Sequence, residues 1–189
     1  MLILVRHGQT AANAAGLLLG RADPPLTELG QRQAEVLAAA LPSPSRVIAS
    51  PLTRAQATAA AFGKTVEVDH RWVEMDYGDL DGQPVASVGD ELWRQWRADV
   101  TFVPAGGESL AAVGARVRSA CVELVEVAGK QDVVVVSHVS PIKAAIAWAL
   151  GVDDQVTWRM FVQDAAVARI ATAPPGPQLM SFNEVCPCA

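Results

Sequence analysis

No stretch of this 189-residue sequence is long and apolar enough to cross a bilayer, which takes about 20 consecutive apolar residues. The apolar run Leu2-Ile3-Leu4-Val5 is broken at once by Arg6, too early for the apolar core of a secretory leader. Positive charge is scarce: 15 Lys and Arg face 20 Asp and Glu, for a net charge of -5. That balance argues against nucleic acid as the main partner, because phosphate backbones select basic surfaces. A small anion bound in a local basic pocket stays compatible with it. Cysteine is confined to Cys121, Cys186 and Cys188, an odd number without an export signal, so the expected home is a reducing cytoplasm. Cys186-Pro187-Cys188 has too few partners for a zinc site and reads as tail. Internal repeats and low-complexity tracts are absent, which leaves an ordinary globular reading.

What is present is apolar material, 51% of the chain, enough for one sizeable core and for one domain over 1–189. Leu2-Ile3-Leu4-Val5 predicts a short buried strand that runs into Arg6-His7-Gly8. A cation, an imidazole and a permissive backbone thus meet where the chain leaves the sheet. Residues 11–22 read as a loop with one helical turn, with Asn13 just beyond the strand end. Thr27 as N-cap, followed by Ala34, Leu37, Ala38 and Leu41 at helical spacing, predicts an amphipathic helix ending near Pro42. A strand at 47–49 leads to Ser50-Pro51, read as N-cap and first helical position of a helix over 52–62. Arg54 then falls in that helix's first turn, where free N–H groups and the helix dipole favour an anion.

A strand around Val66 and Val68 precedes the acidic loop Glu74-Met75-Asp76-Tyr77-Gly78-Asp79-Leu80-Asp81-Gly82. An EF-hand calcium loop is excluded, since alternating ligands and a closing Glu are missing. Asp79 and Asp81 read as solvated turn residues, and Glu74 and Asp76 compete for an acid/base role. Leu92, Trp93, Trp96 and Val100 fit either a helix packed on the core or a lid, within a lid-like segment at 84–107. Ser109 opens a helix with Val113, Val117, Ala120, Cys121 and Leu124 on one face, which makes Cys121 a packing residue. Val133-Val134-Val135-Val136 predicts a central buried strand ending at Ser137-His138. Ser140-Pro141 repeats the cap-and-proline start, and the helix should stop at Gly151. Residues 167–171 and 179–182 read as a final strand pair across Pro174-Pro175-Gly176-Pro177.

Strands alternating with helices predict an α/β fold, a three-layer α/β/α sandwich with a largely parallel central sheet. In such a sheet the carboxyl ends of the strands form the ligand crevice. Arg6, His7, Arg54, Glu74 and His138 are expected to converge there. Two His and a carboxylate are also a donor set for iron or zinc. The two arginines count against that, because permanent guanidinium charges repel a divalent cation and bind phosphate bidentately.

Taken together, the Arg-His-Gly turn, Ser50-Pro51-Leu52-Thr53-Arg54-Ala55, Glu74 before Tyr77-Gly78 and Asp81-Gly82, and Ser137-His138 resemble the histidine phosphatase superfamily, the phosphoglycerate-mutase-like enzymes. The stretch Ser-His-Val-Ser-Pro-Ile-Lys is similar to α-ribazole-phosphatase-like members, with Val139 where the family usually has Gly. The resemblance implies a phosphatase acting on a small phosphorylated metabolite. It implies His7 as nucleophile, Glu74 as acid/base, and Arg6, Asn13, Arg54 and a protonated His138 holding the phosphoryl group, with no metal or other cofactor. A cofactor-dependent mutase is the alternative, and the short span from Glu74 to His138 favours a hydrolase. A non-catalytic phosphoryl-binding regulator is less consistent with all five core residues being present. The expected protein is a monomer or homodimer with no membrane and no nucleic-acid partner.

Overall fold

Leu2-Ile3-Leu4-Val5 and Val133-Val134-Val135-Val136 are buried along their whole length, the behaviour of strands covered on both faces. In the computed structural model, which describes residues 1–186, they form β1 (Leu2–Arg6) and β4 (Val133–Ser137). The two pair in parallel and end flush, with Arg6 opposite Ser137. β2 (Arg46–Ala49) and β3 (Val66–Val68) continue the sheet in parallel beyond β4. On the other side β5 (Val167–Ala171) and β6 (Gln178–Glu184) are antiparallel. The order is β3-β2-β4-β1-β5-β6, a mixed sheet with a parallel centre and the expected final strand pair at one edge.

Helices cover both faces. Side chains alternate along each strand, so Ile3, Val5, Val47 and Val134 pack on Leu37 and Ala55 of α2 (Glu28–Ala40) and α3 (Thr53–Ala60). Leu2, Leu4, Ile48 and Val135 face Val117, Cys121 and Ile142 of α5 (Leu110–Lys130) and α6 (Val139–Leu150). Cys121 is fully buried and burial raises its thiol pKa, as fits packing. Cys186 packs on the α2–α3 side, while Pro187 and Cys188 of the tail motif lie outside the described residues.

Two helix starts differ from the sequence expectation, for one shared reason. The Ser50 hydroxyl, expected to cap α3, lies 2.7 Å from Nε2 of His138. Leu52 takes the cap position without a side-chain bond, and Asp23 accepts the Thr53 N–H from outside at 2.9 Å. α6 begins at Val139, with His138 at the cap, rather than at Ser140-Pro141. Pro141 still falls in the first turn, where a missing N–H costs nothing. Glu74 serves that helix end, so a serine cap is not required. α1 (Ala11–Ala14) is the single helical turn expected after the first strand. α4 (Asp90–Ala98) closes before Val100, whose carbonyl instead accepts the Ala111 N–H. Trp96 is buried in the core beside Val113 and Val117, as the packed-helix alternative requires.

Candidate active site

His7 leaves β1 at its carboxyl end with a ring that is 2% exposed. Its Nδ1 lies 2.7 Å from the Gly8 carbonyl, which can only accept, so Nδ1 carries the proton. Arg54 Nε donates to Nε2 across 3.2 Å. Both contacts require the same tautomer, with the lone pair on Nε2. Burial above all, then the charges of Arg6 and Arg54, hold the His7 pKa well below the ordinary histidine value against the opposing Gly8 bond. The ring is a neutral base in a cationic surround.

Arg54 is completely buried. Its Nη1 and Nη2 donate to the carbonyls of Ala22 and Gly20 at 2.7 and 2.9 Å, and Asp23 lies 3.5 Å from Nη1. Arg6 donates from Nη1 to the Val162 carbonyl at 2.7 Å and pairs with Asp164 at 2.7 Å, while its buried Nε has no partner among the described residues. An unsatisfied buried guanidinium N–H beside a neutral imidazole suits an anion.

His138 follows β4, its ring centroid 5.0 Å from that of His7. Nε2 contacts Ser50, and Nδ1 is buried without a partner among the described residues. Burial first, then His7, Arg54, Arg6 and Arg116, push the His138 pKa well below the ordinary histidine value. In the ligand-free site the loss of water, His7 and the three arginines thus hold His138 neutral, whereas the protonated His138 expected from sequence belongs to the phosphoryl-bound site.

Glu74, 3% exposed, rests its carboxylate on the start of α6. It accepts from the N–H groups of Val139 at 3.0 Å, Ser140 at 3.1 Å and its neighbour Met75 at 2.7 Å. The helix N-terminus expected at Arg54 to hold an anion is closed by Asp23, and α6 uses its own to hold Glu74. Asp76 turns away and accepts the Gly78 N–H at 2.9 Å, so of the two acidic candidates Glu74 is the one facing His7. Asn13 forms a capping box with Thr10, accepting the Thr10 N–H at 3.0 Å. Arg6, His7, Asn13, Glu74 and Tyr77 line one cavity of about 180 Å³. Arg54 and His138 lie beneath it against His7. Among the described residues no group of three or more His, Cys, Asp or Glu side chains is disposed to hold a metal ion.

Several partners of this site escaped the sequence reading. Asp81 is not a solvated turn residue: its carboxylate accepts the N–H groups of Gly20, Arg21 and Ala22, each at 2.8 Å. It fixes the loop whose carbonyls hold Arg54, while Asp79 is exposed as expected. The Thr58 hydroxyl accepts the Gly8 N–H at 3.0 Å and donates to the Arg54 carbonyl at 2.8 Å. Arg116 donates to the backbone carbonyls of Arg71 and Glu74 at 2.6 and 3.3 Å and pairs with Glu108 at 2.9 Å. The Asp81-Gly82 pair alone carried a sequence signal, as part of the family motif.

A doubly covered, mixed α/β sheet whose parallel strands deliver two histidines and two arginines to one edge defines a class of anion-handling α/β proteins. The chain belongs to the histidine phosphatase superfamily (branch 1), whose family model matches residues 2–185. It is 36% identical over 177 residues to the bifunctional protein Rv2228c of Mycobacterium tuberculosis, covering 88% of this chain and 49% of that protein. The chain thus spans about half the length of the first of the curated relatives it matches. Phosphoserine phosphatase 1 of Hydrogenobacter thermophilus is 35% identical over 195 residues, 98% of this chain and 92% of the relative. Among solved structures, the α-ribazole phosphatase of Shigella flexneri superposes with a TM-score of 0.84 at 30% identity, over 97% of this chain and 96% of that one. No helix among the described residues is long and apolar enough to cross a membrane.

Proposed function

We propose that this chain is a metal-independent phosphatase that hydrolyses a small phosphomonoester through a phosphohistidine on His7. The observation that carries the reading is the fixed tautomer of a buried, neutral His7, its Nε2 lone pair held beside two guanidinium groups. Relatives across nearly the whole chain are named as phosphatases of phosphoserine and of α-ribazole phosphate, which supports hydrolysis.

In this reading the phosphoryl group enters the cavity over Arg6 and Asn13, and Arg54 turns from Nε2 to an equatorial oxygen. Nε2 attacks phosphorus in line, the N–P bond forms as the ester P–O bond breaks, and Glu74, having taken up a proton from solvent as the phosphoryl group binds, gives that proton to the departing oxygen. Glu74 then takes a proton from the water that opens the N–P bond. The dianion's charge also favours uptake of a proton from solvent by His138, reversing the repulsion of the empty site. Positioning and charge do most of this work, and the guanidinium groups supply the charge a metal would otherwise bring. The lid-like segment at 84–107, with α4, covers the leaving-group side. The partner is a small phosphorylated metabolite, and the protein acts as a cytoplasmic monomer or homodimer.

The test is inorganic phosphate release from sugar phosphates, 3-phosphoglycerate, α-ribazole phosphate and an aryl phosphate, in EDTA, beside the His7→Ala protein. Release from at least one ester that is abolished by His7→Ala is expected. Substantial activity left in His7→Ala, or loss of all activity in EDTA, overturns the mechanism. Isomerisation of 3-phosphoglycerate without net release moves the reading to a mutase.

A further inference from the structure

Residues 73–77, which carry Glu74, lie in no helix or strand, so no regular ladder of backbone hydrogen bonds fixes them. The head of α5 holds them instead. Arg116 projects from the second turn of that helix, between Val113 and Val117, which are buried in the core. Its Nη1 donates to the Arg71 carbonyl at 2.6 Å and its Nη2 to the Glu74 carbonyl at 3.3 Å. The remaining edge of the guanidinium faces Glu108, which accepts from Nε at 2.9 Å and from Nη2 at 3.1 Å. Glu108 also grips the segment directly. Its N–H donates to the Asp76 carbonyl at 2.9 Å, and its carboxylate accepts the Asp76 N–H at 3.4 Å. The main chain is thus held at Arg71, Glu74 and Asp76 by two residues at the start of a 21-residue helix.

An exposed Arg–Glu pair contributes little, but both of these side chains are only 17% exposed. A guanidinium offers its donors in a rigid planar fork, so Arg116 fixes where the two carbonyls lie relative to the helix. Neither Arg116 nor Glu108 lines the catalytic cavity. Their effect passes through Glu74, whose carboxylate rests on the N–H groups of Val139 and Ser140 while its carbonyl rests on Arg116. The residue is pinned at both ends. Arg116 is also the smallest influence on His138, after burial, His7, Arg54 and Arg6, and that influence falls on every ester alike. We propose that Arg116 and Glu108 are positioning residues for the proton donor: their ion pair sets the reach of Glu74 to the leaving oxygen without touching the attack by His7. The proposal rests on the phosphatase reading for the role of Glu74 but not for the hold on its backbone.

Leaving-group chemistry separates this role from a general structural one. An alkyl phosphate needs a proton on its departing oxygen, whereas dinitrophenyl phosphate releases a stable phenolate without one. The kinetic constant to compare is kcat/KM, which ends at cleavage of the ester bond and excludes hydrolysis of the phosphohistidine. In Arg116→Met it should fall about 100-fold for the fastest alkyl ester, the scale for a group misplaced by about 1 Å. The loss on dinitrophenyl phosphate should be smaller by about tenfold or more, since only the alkyl ester draws on general acid catalysis. Arg116→Lys keeps the charge opposite Glu108 without the fork, and it should show the same bias if Arg116→Met fails to fold. Glu74→Gln is the reference and should show the bias in full. If it does, and the Arg116 variants lose equally on both esters, the positioning role is overturned and the phosphatase reading stands. A second readout does not depend on turnover. The N–H groups of Val139 and Ser140 donate to Glu74, so their hydrogen exchange should accelerate by about tenfold or more in both Arg116 variants, relative to Val134 and Val135 of β4. If no ester is hydrolysed, or Glu74→Gln shows no bias, yet this acceleration is seen, the phosphatase reading fails and the hold on Glu74 stands. Unchanged exchange at both positions overturns the proposal whatever the esters do.

Discussion

At the scale of single residues, the site depends on side chains that never touch its cavity. Arg54 is held by two carbonyls of the loop at 20–22, and that loop is held by the three N–H bonds to Asp81. Asp81→Asn leaves one acceptor oxygen where two served, and turns an NH2 group toward backbone donors. The loop must shift, and a guanidinium displaced by about 1 Å costs on the order of 100-fold in rate. We expect kcat/KM to fall by about that factor while the far-UV circular dichroism is kept, and wild-type kcat/KM in the variant would refute the chain of support. The sequence showed Asp81 only as part of a motif and not as the support of Arg54, because Asp81 and Gly20 meet only through the tertiary fold. His7, Arg54 and His138 were legible, since each follows a strand and parallel strands bring their carboxyl ends together.

Among the elements, the turn after β1 and the first turns of α2 approach each other backbone to backbone. A Cβ on Gly8 would lie 2.3 Å from the Gly30 carbonyl oxygen, and one on Gly30 would lie 2.2 Å from that of Gln9. These contacts are backbone, so no side chain can swing aside. The Gln9 carbonyl also accepts the Thr27 N–H at 2.9 Å, which docks the helix cap directly onto the active turn. Gly30→Ala should destabilise the protein by about 1–3 kcal/mol, the usual cost of forced overpacking. Activity should fall with it, because the helix then pushes on Gln9, two residues beyond His7. A urea midpoint and kcat/KM measured together check this, and an unchanged midpoint contradicts the contact. Helix α2 itself was legible from Thr27 and its apolar spacing. The starts of α3 and α6 were misread, because Ser50 and Ser140 were read as caps from local sequence, while the His138 that engages Ser50 and the Glu74 that serves the end of α6 come from other parts of the fold.

For the whole molecule, two buried neutral histidines tie stability to acidity. Both have folded pKa values lowered well below 6.5, so the unfolded chain binds protons there that the native one refuses. Stability therefore rises with pH up to about the unfolded value, and drains as the pH falls below it, with a limiting slope near 1.4 kcal/mol per pH unit for each group. Melting temperature should drop between pH 7 and pH 5.5, and a flat or rising profile would show that the rings are not buried neutral. The layered architecture was legible from alternating strands and helices, whereas the reversal of the last two strands was visible only as a hairpin signal. The strand order has a consequence for how the protein is made. β1 precedes β4 and β5 in the chain yet sits between them, so its backbone has neither neighbour until those strands are made. The strand carrying His7 is then an open, apolar ribbon, and the two histidines can meet only after β4 has been made.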